Sequence, residues 1–371
     1  MKKFIRTIIS IVMVVVLALG MVACSDPADN EGEKGLVLTK YRGEDFYTVY
    51  SYVDDGETSS LDLTDTAVVG NKVIGRIAPN AFANNASLTE IIVPTTVTEI
   101  GAGAFKGMKK LNSLTLPFIG KYVKADAFMD ETGTDDNDVK AIDTERTIAH
   151  LFGLDEYDEG VETTVNYTPS STTSCYIPAT LNTIKIAPAS DYKIPMHAFH
   201  GVKVLRKIEL TNKVVGIGSY AFAECSNLVD IEIPASVANI YNNAFQGCAK
   251  IDISFAPNSA LTKIEDYVFY KSGIKYLDFL PEGILSIGEF AFSESSLRKV
   301  TLPSTVAELK YGAFAKCEDL DTVLTTATSV KTADYAFYNC SSLDVFDAIT
   351  QKGIDTSIFS NPNAYINTLI D

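Results

Sequence analysis

Six cysteines, three histidines and one dense acidic stretch are the residues of this 371-residue chain best suited to chemistry. Cys24 closes the run Met21-Val22-Ala23-Cys24, where a thiol can accept a lipid. Cys225 and Cys248 stand 23 positions apart, and so do Cys317 and Cys340. Equal spacing stacks thiols on neighbouring turns of a repeated structure, as a redox pair or a ladder of metal ligands would. No C-x-x-C pair accompanies them, so the ligand spacing of a zinc site is missing. Free cysteine also fills small buried niches, and Ala, Gly or Met stand near the same slot in other repeats. Niche filling is the reading adopted. A disulfide between turns would need Cα atoms about 5.5–6 Å apart. Cys175 falls outside the spacing, and the five cysteines beyond Cys24 cannot all pair internally.

His197 and His200 flank Phe199 and read as repeat-surface residues. His150 precedes Leu151-Phe152, and no oriented partner for proton transfer is evident beside it. Asp130, Glu131, Asp135, Asp136 and Asp138 surround Gly133. Carboxylates suit calcium, but the turn glycine and closing glutamate of an EF-hand loop are missing, so a solvated acidic loop is preferred. Gly101-x-Gly103 and Gly216-x-Gly218 are fragments of phosphate-loop patterns without the full fingerprint. No G-x-S-x-G elbow or H-E-x-x-H helix occurs. The expectation is no enzyme, no catalytic residue, no cofactor and no bound metal.

The elements that position these residues are repeats. Ala-Phe pairs mark Phe82, Phe105, Phe128, Phe199, Phe222, Phe245, Phe292, Phe314 and Phe337. Val268 precedes Phe269, and Ile358 precedes Phe359, in the same phase. Successive marks are 22 to 24 residues apart, except for a gap of 71 between Phe128 and Phe199. One copy runs Leu228-x-x-Ile231-x-Ile233-Pro234-x-x-Val237-x-x-Ile240, then Ala244-Phe245. Others run from Leu88 to Phe105 and from Leu297 to Phe314. The Ile-x-Ile core alternates sides like a short strand. Pro94, Pro234 and Pro303 close it, because proline cannot donate to a ladder. Gly101, Gly218 and Gly288 then suit a tight corner. The Phe of each unit should point inward and stack on the next, since one unit cannot bury its apolar side alone. The ten marks from Phe82 to Phe337 are the expected structural core.

This pattern resembles the BspA-like class of bacterial surface-antigen leucine-rich repeats, from about Leu61 onward. The resemblance implies a mainly β, curved, right-handed solenoid of about 23-residue repeats, in about a dozen turns with one insertion. It also implies a surface-exposed or secreted protein, with adhesion to host proteins or other cells as the usual role. Right-handed crossovers are expected between parallel strands.

The N-terminus carries an address. Lys2 and Lys3 precede the apolar run Ile8–Val22, and small Ala23 precedes Cys24, which is the pattern of an export signal. The cysteine makes it resemble a bacterial lipobox, with Met21 where Leu is usual. The resemblance implies a signal over 1–23 and lipid on Cys24. A plain signal or single anchor is the alternative, for which the run is short against about 20 apolar residues. Residues 24–40 read as a flexible tether, and 41–371 as the solenoid, with Tyr41–Val69 capping its first end. A degenerate last repeat near Ile358-Phe359 ends at Asn361-Pro362, and Ala364–Ile370 would fold over the far end.

Formal charge is −16. Three of the 31 basic residues lie in the signal, leaving 28 against 47 acidic ones. That argues against nucleic acid as a partner, which needs cations for its phosphates, and against docking on anionic lipid through a basic face. The gap between Phe128 and Phe199 contains Ala149-His150-Leu151-Phe152-Gly153, an acidic stretch and a Ser/Thr run. It reads as a modified region over 129–180, inserted on one side of the array. Such an insertion can build a binding surface or be a loop without a role, and both readings stay open. The same holds for Tyr220, Tyr241, Tyr267, Tyr311 and Tyr335, as contact residues or as side packing.

A lipid-anchored envelope protein that binds protein ligands is the expected function. The rivals are a glycan-binding or envelope-structural protein, favoured by a row of exposed aromatics, and an enzyme with a pocket at His150.

Overall fold

The computed structural model describes residues 35–122, 144–168, 171–278, 280–344, 353–355 and 357. Cys24, the leader, Phe128, the acidic cluster at 130–138 and the degenerate repeat at Phe359 lie outside the described residues.

Alternating apolar residues form short parallel strands stacked one per turn, giving a mainly β solenoid of about 11 turns. The longest sheet holds, in spatial order, Ser60–Asp62, Glu90–Ile92, Ser113–Leu116, Thr183–Ile186, Lys207–Leu210, Asp230–Ile233 and Asp252–Phe255. Tyr276–Leu277, Lys299–Leu302, Thr322–Thr325 and Gly353–Ile354 form a second sheet in the same repeat phase. The register aligns like with like: Ile184 pairs Ile208, Ile208 pairs Ile231, and Ile231 pairs Ile253. Their side chains are buried. A shift of one residue would turn every one of them to solvent. Strands stop where Pro94, Pro234 and Pro303 follow, and each proline carbonyl accepts the amide three residues on, starting the turn.

A second column of shorter strands, such as Val214–Ile217 and Asn239–Ile240, forms another side of each turn. The third side carries the Phe marks. Phe82, Phe105, Phe199, Phe222, Phe245, Phe269, Phe292, Phe314 and Phe337 are all fully buried. Phe222 and Phe245 stack with centroids 5.3 Å apart and planes 6° from parallel, and Phe292 and Phe314 at 5.2 Å and 2°.

Tyr52 ends the described stack on Phe82, with centroids 6.1 Å apart. It lies on Tyr47–Tyr52, which pairs antiparallel with Leu36–Thr39. The capping structure therefore starts earlier than the sequence suggests. Leu36–Thr39 falls in the expected tether, yet it is a strand because Leu36 and Leu38 alternate into the core at 2% and 3% exposure.

The long gap resolves into one enlarged turn. Leu114 pairs directly with Ile184, so strands 70 positions apart in sequence are adjacent rungs. Between them the helix Ile148–Phe152 occupies the Phe side of the turn. Phe152 is fully buried beside Phe105, with centroids 6.2 Å apart. Phe105 donates its amide to Leu151, and Ile148 donates its own to Ala198 of the following turn. Phe152 thus continues the stack after Phe105, without the Ala-Phe pair. An antiparallel hairpin, Gly160–Thr168 with Ser171–Pro178, follows it. The region 129–180 is therefore partly solenoid core rather than wholly appended.

Candidate binding faces

The cysteine ladder is built into the backbone. Cys225 Sγ donates to Phe199 O at 3.0 Å, and Cys248 to Phe222 O at 3.1 Å. Cys317 donates to Phe292 O at 3.0 Å, and Cys340 to Phe314 O at 3.1 Å. Each thiol is a second donor, from inside the core, to a carbonyl of the preceding turn that already accepts the backbone amide three residues on. All five described cysteines are free and buried. Burial pushes the Cys225 and Cys175 thiols up to about 12, which removes the thiolate that metal binding or redox exchange needs. Other turns fill the niche with Ser272, Ser295 or Asn85, all buried.

The histidines are likewise engaged. His150 Nε2–H donates to Ile100 O at 2.9 Å, bracing the helix Ile148–Phe152 against the preceding turn. No carboxylate accompanies it in that bond. His197 lies flat on Tyr220, centroids 4.9 Å apart, and edge-on to His200 at 5.3 Å. Burial, with His200 nearby, lowers His197 to about 3. Burial also lowers His200, against the opposing pull of Glu224. Both are thus neutral packing groups. Among the described residues, no three His, Cys, Asp or Glu side chains group to hold a metal.

The corner glycines have a different cause from the expected one. Gly101, Gly218 and Gly288 are not left-handed. A Cβ on Gly101 would lie 2.2 Å from Pro79 N, and one on Gly218 would lie 2.6 Å from Met196 N. They are needed because backbones of neighbouring turns touch there. The left-handed positions lie two residues before and two after each Phe. Before it stand Asn80 (56°), Gly103 (65°), His197 (56°), Tyr220 (55°), Asn243 (61°), Tyr267 (58°), Phe290 (51°), Gly312 (59°) and Tyr335 (59°). After it stand Asn84, Gly107, Glu224, Gly247, Lys271, Glu294 and Lys316, among others. The recurrence of Asn and Gly in both columns was the available sequence signal.

Two faces offer contact groups. The first is the outward side of the long sheet. Its rungs present Ser113, Thr183, Lys207, Asp230 and Asp252 in one row, and Thr115, Lys185, Glu209, Glu232 and Ser254 in the next. The sector from Lys207 to Ser254 is acidic. Its one cation, Lys207, is held 3.0 Å from Glu209 and 3.9 Å from Asp230. A shallow open depression lined by Glu90, Lys110, Asn112, Ser113 and Thr180 lies at the edge of this face. The hairpin emerges next to it: Thr180 Oγ1 donates to Leu111 O at 2.7 Å, and Lys109 Nζ lies 3.8 Å from Glu159.

The second face is a row of rings outside the Phe stack. Tyr267 stacks on Phe290 at 5.2 Å, Phe290 meets Tyr311 at 5.3 Å, and Tyr311 meets Tyr335 at 5.5 Å. Tyr267, Phe290 and Tyr335 are half-buried, and Tyr311 is 42% exposed. A bulky residue with positive φ is strained, at about 1–2 kcal/mol each. Asn and Gly serve the same backbone position elsewhere without that cost. The tyrosines therefore pack along the side and also reach solvent, so neither sequence reading excludes the other.

The BspA-type leucine-rich repeat model matches six copies, over residues 71–139, 171–280 and 262–369. These spans cover well over half of the chain. The chain belongs to the BspA-type leucine-rich repeat family. The stacked Phe and the thiol-to-carbonyl bonds are how this chain builds the BspA-type repeat. Solved structures similar to it include a leucine-rich repeat protein from Bacteroides ovatus, at 16% identity and TM-score 0.40, covering 90% of this chain and 88% of that one. A leucine-rich cell surface protein from Faecalibacterium prausnitzii aligns at 19% identity and TM-score 0.36, covering 87% and 81%. The leucine-rich repeat protein of T. pallidum aligns at 19% and 0.28, covering 86% and 91%. No curated protein matches the chain.

Proposed function

We propose that this BspA-type protein is a non-enzymatic adhesin, held at the bacterial envelope by lipid on Cys24 and displayed outward, whose outward sheet face binds protein ligands. The observation that carries the reading is that face. Five successive hydrogen-bonded rungs of the seven-stranded sheet, from Ser113–Leu116 to Asp252–Phe255, present two parallel rows of polar side chains on a stiff support. Solenoids offer such extended surfaces to macromolecules. Its acidic sector at Glu209, Asp230, Glu232 and Asp252 suits a basic patch on the partner and speeds encounter with it. The Faecalibacterium protein is described as a cell surface protein, which supports the same placement here. No helix among the described residues is long and apolar enough to cross a membrane. An enzyme at His150 is disfavoured, because that ring is spent on the Ile100 carbonyl.

The test is direct binding of the chain, without its leader, to purified host matrix proteins and to co-resident bacteria. A second protein lacking 164–173, the tip of the hairpin, asks whether the insertion contributes. Saturable binding to a macromolecule supports the adhesin; none across both panels would remove its basis. Anchoring is tested by labelled fatty acid, which should enter the wild-type chain and not Cys24→Ser.

A further inference from the structure

We propose that the outer edge of the hairpin strand Gly160–Thr168 is a dimerisation site, which pairs antiparallel with the same edge of a second copy of this chain. The pairing depends neither on the ligand of the sheet face nor on the lipid.

An open strand edge is the first observation. Gly160–Thr168 has nine residues, the longest of the described strands, and belongs to a two-stranded sheet with Ser171–Pro178. Among the described residues, no strand pairs with its other side. Apart from a turn bond from Gly160 to Tyr157 O, its backbone bonds there run only to its hairpin partner. Such a row of amides and carbonyls is a template for another strand. Proteins blunt these edges with lysine, proline, short length or a covering element. The end strands of the array are blunted in that way: Ser60–Asp62 has three residues, and Leu36–Thr39 has four and runs into Lys40. Gly160–Thr168 holds neither lysine nor proline. Its one charged residue, Glu162, accepts from Ser174 Oγ across the hairpin at 2.6 Å. From Thr163 to Ile184 the sequence carries no charge at all.

The second observation is that the ribbon is rooted but incomplete. Thr163, Cys175 and Ile177 are buried, which fixes its base on the solenoid. The helix Ile148–Phe152 lies against Ser171–Pro178. A two-stranded ribbon is marginal in water without a third strand or a helix beside it. Ser171–Pro178 has that helix, whereas the outer side of Gly160–Thr168 has no strand.

Register and charge select a second copy as the missing strand. A twofold axis through Thr164 sets Thr164 opposite its own copy, Glu162 opposite Asn166 and Val161 opposite Tyr167. One edge thus meets itself, as a twofold dimer requires. Val with Tyr is an aromatic and β-branched combination, favourable in antiparallel pairs. The two Glu162 positions stay four residues apart along the strands, ~13 Å, which is beyond a Debye length at physiological salt. Formal charge on the chain is −16, and like-charged copies repel. An uncharged edge is where they can approach at least cost.

Sedimentation velocity of the chain without its leader should show a dimer whose share grows with concentration. Thr164→Lys sets two like charges opposite each other and should abolish the dimer, and so should Thr164→Glu. Mixing the two variants at low salt should restore a one-to-one dimer, because the charges on the axis are then opposite. Both variants should keep an unfolding midpoint close to wild type, and Glu232→Lys on the sheet face should leave the dimer unchanged. The proposal is overturned if the chain is monomeric at every concentration, if the dimer survives both Thr164 variants, or if mixing them restores nothing. A monomeric chain whose matrix-protein binding is weakened by Thr164→Lys would assign the edge to a strand of the ligand and also overturn it.

Discussion

The Cys248 thiol donates to the carbonyl oxygen of Phe222, one turn away, at 3.1 Å. This bond ties the cysteine column to the Phe column and explains why equal cysteine spacing accompanies equal Phe spacing. Cys248→Ala should cost about 0.5–1.5 kcal/mol for the lost bond, since Phe222 O keeps the Cys225 amide as a donor at 3.2 Å. Denaturant unfolding measures it. The same packing makes these thiols slow to react: a disulfide reagent such as DTNB should leave Cys225, Cys248, Cys317 and Cys340 unmodified until the chain unfolds. Rapid labelling of the native protein would contradict the buried ladder.

Phe152 should matter as much as the regular marks. Phe245→Ala and Phe152→Ala are each expected to cost about 3–5 kcal/mol, as truncation of buried Phe does. Chemical denaturation compares them. A value near zero for Phe152→Ala would mean that the stack is broken between Phe105 and Phe199.

Gly101→Ala should destabilise by about 1–3 kcal/mol through overpacking, because its new Cβ meets the backbone of Ala78 and Pro79. Lys271→Gly, at a left-handed position with φ 56°, should cost far less or stabilise, since relief of strain offsets the entropy of glycine. Equal losses in the two variants would contradict this division of roles.

Acid should weaken the fold partly through His197. Its folded value, about 3, lies below the ordinary imidazole value of 6.5. The unfolded state therefore binds the proton first, and the stability this group contributes is complete above about 6.5 and lost progressively as pH falls towards 3. The slope from one such proton is at most about 1.4 kcal/mol per pH unit. His197→Asn should flatten the stability profile between pH 7 and 5, where most carboxylates have yet to titrate. An unchanged profile would remove the histidine from the account.

Much of this was legible in the residues. The strand core, the proline stops and the inward Phe follow from period and chemistry, because each regular unit solves the same packing problem with the same side chains. Phe152 was hidden because its turn replaces the Ala-Phe pair with Leu151-Phe152 on a short helix. Leu36 and Leu38 were hidden because two apolar residues beside a polar segment are too short a pattern to separate strand from tether. The corner glycines were seen, but close approach between turns is invisible in one chain's local sequence. The sheet face was legible only as alternating polar positions. The ring row needed the structure, since Tyr311 joins it from a different repeat position.

The most direct test of the account is binding of its matrix-protein ligand by Glu232→Lys/Asp252→Lys, which reverses charge on two outward rungs and leaves Ile231 and Ile253 in the core. The account predicts at least tenfold weaker binding, a smaller dependence on salt and an unfolding midpoint close to wild type. Unchanged affinity at low salt, with the fold intact, would contradict the claim that the outward sheet face is the binding surface.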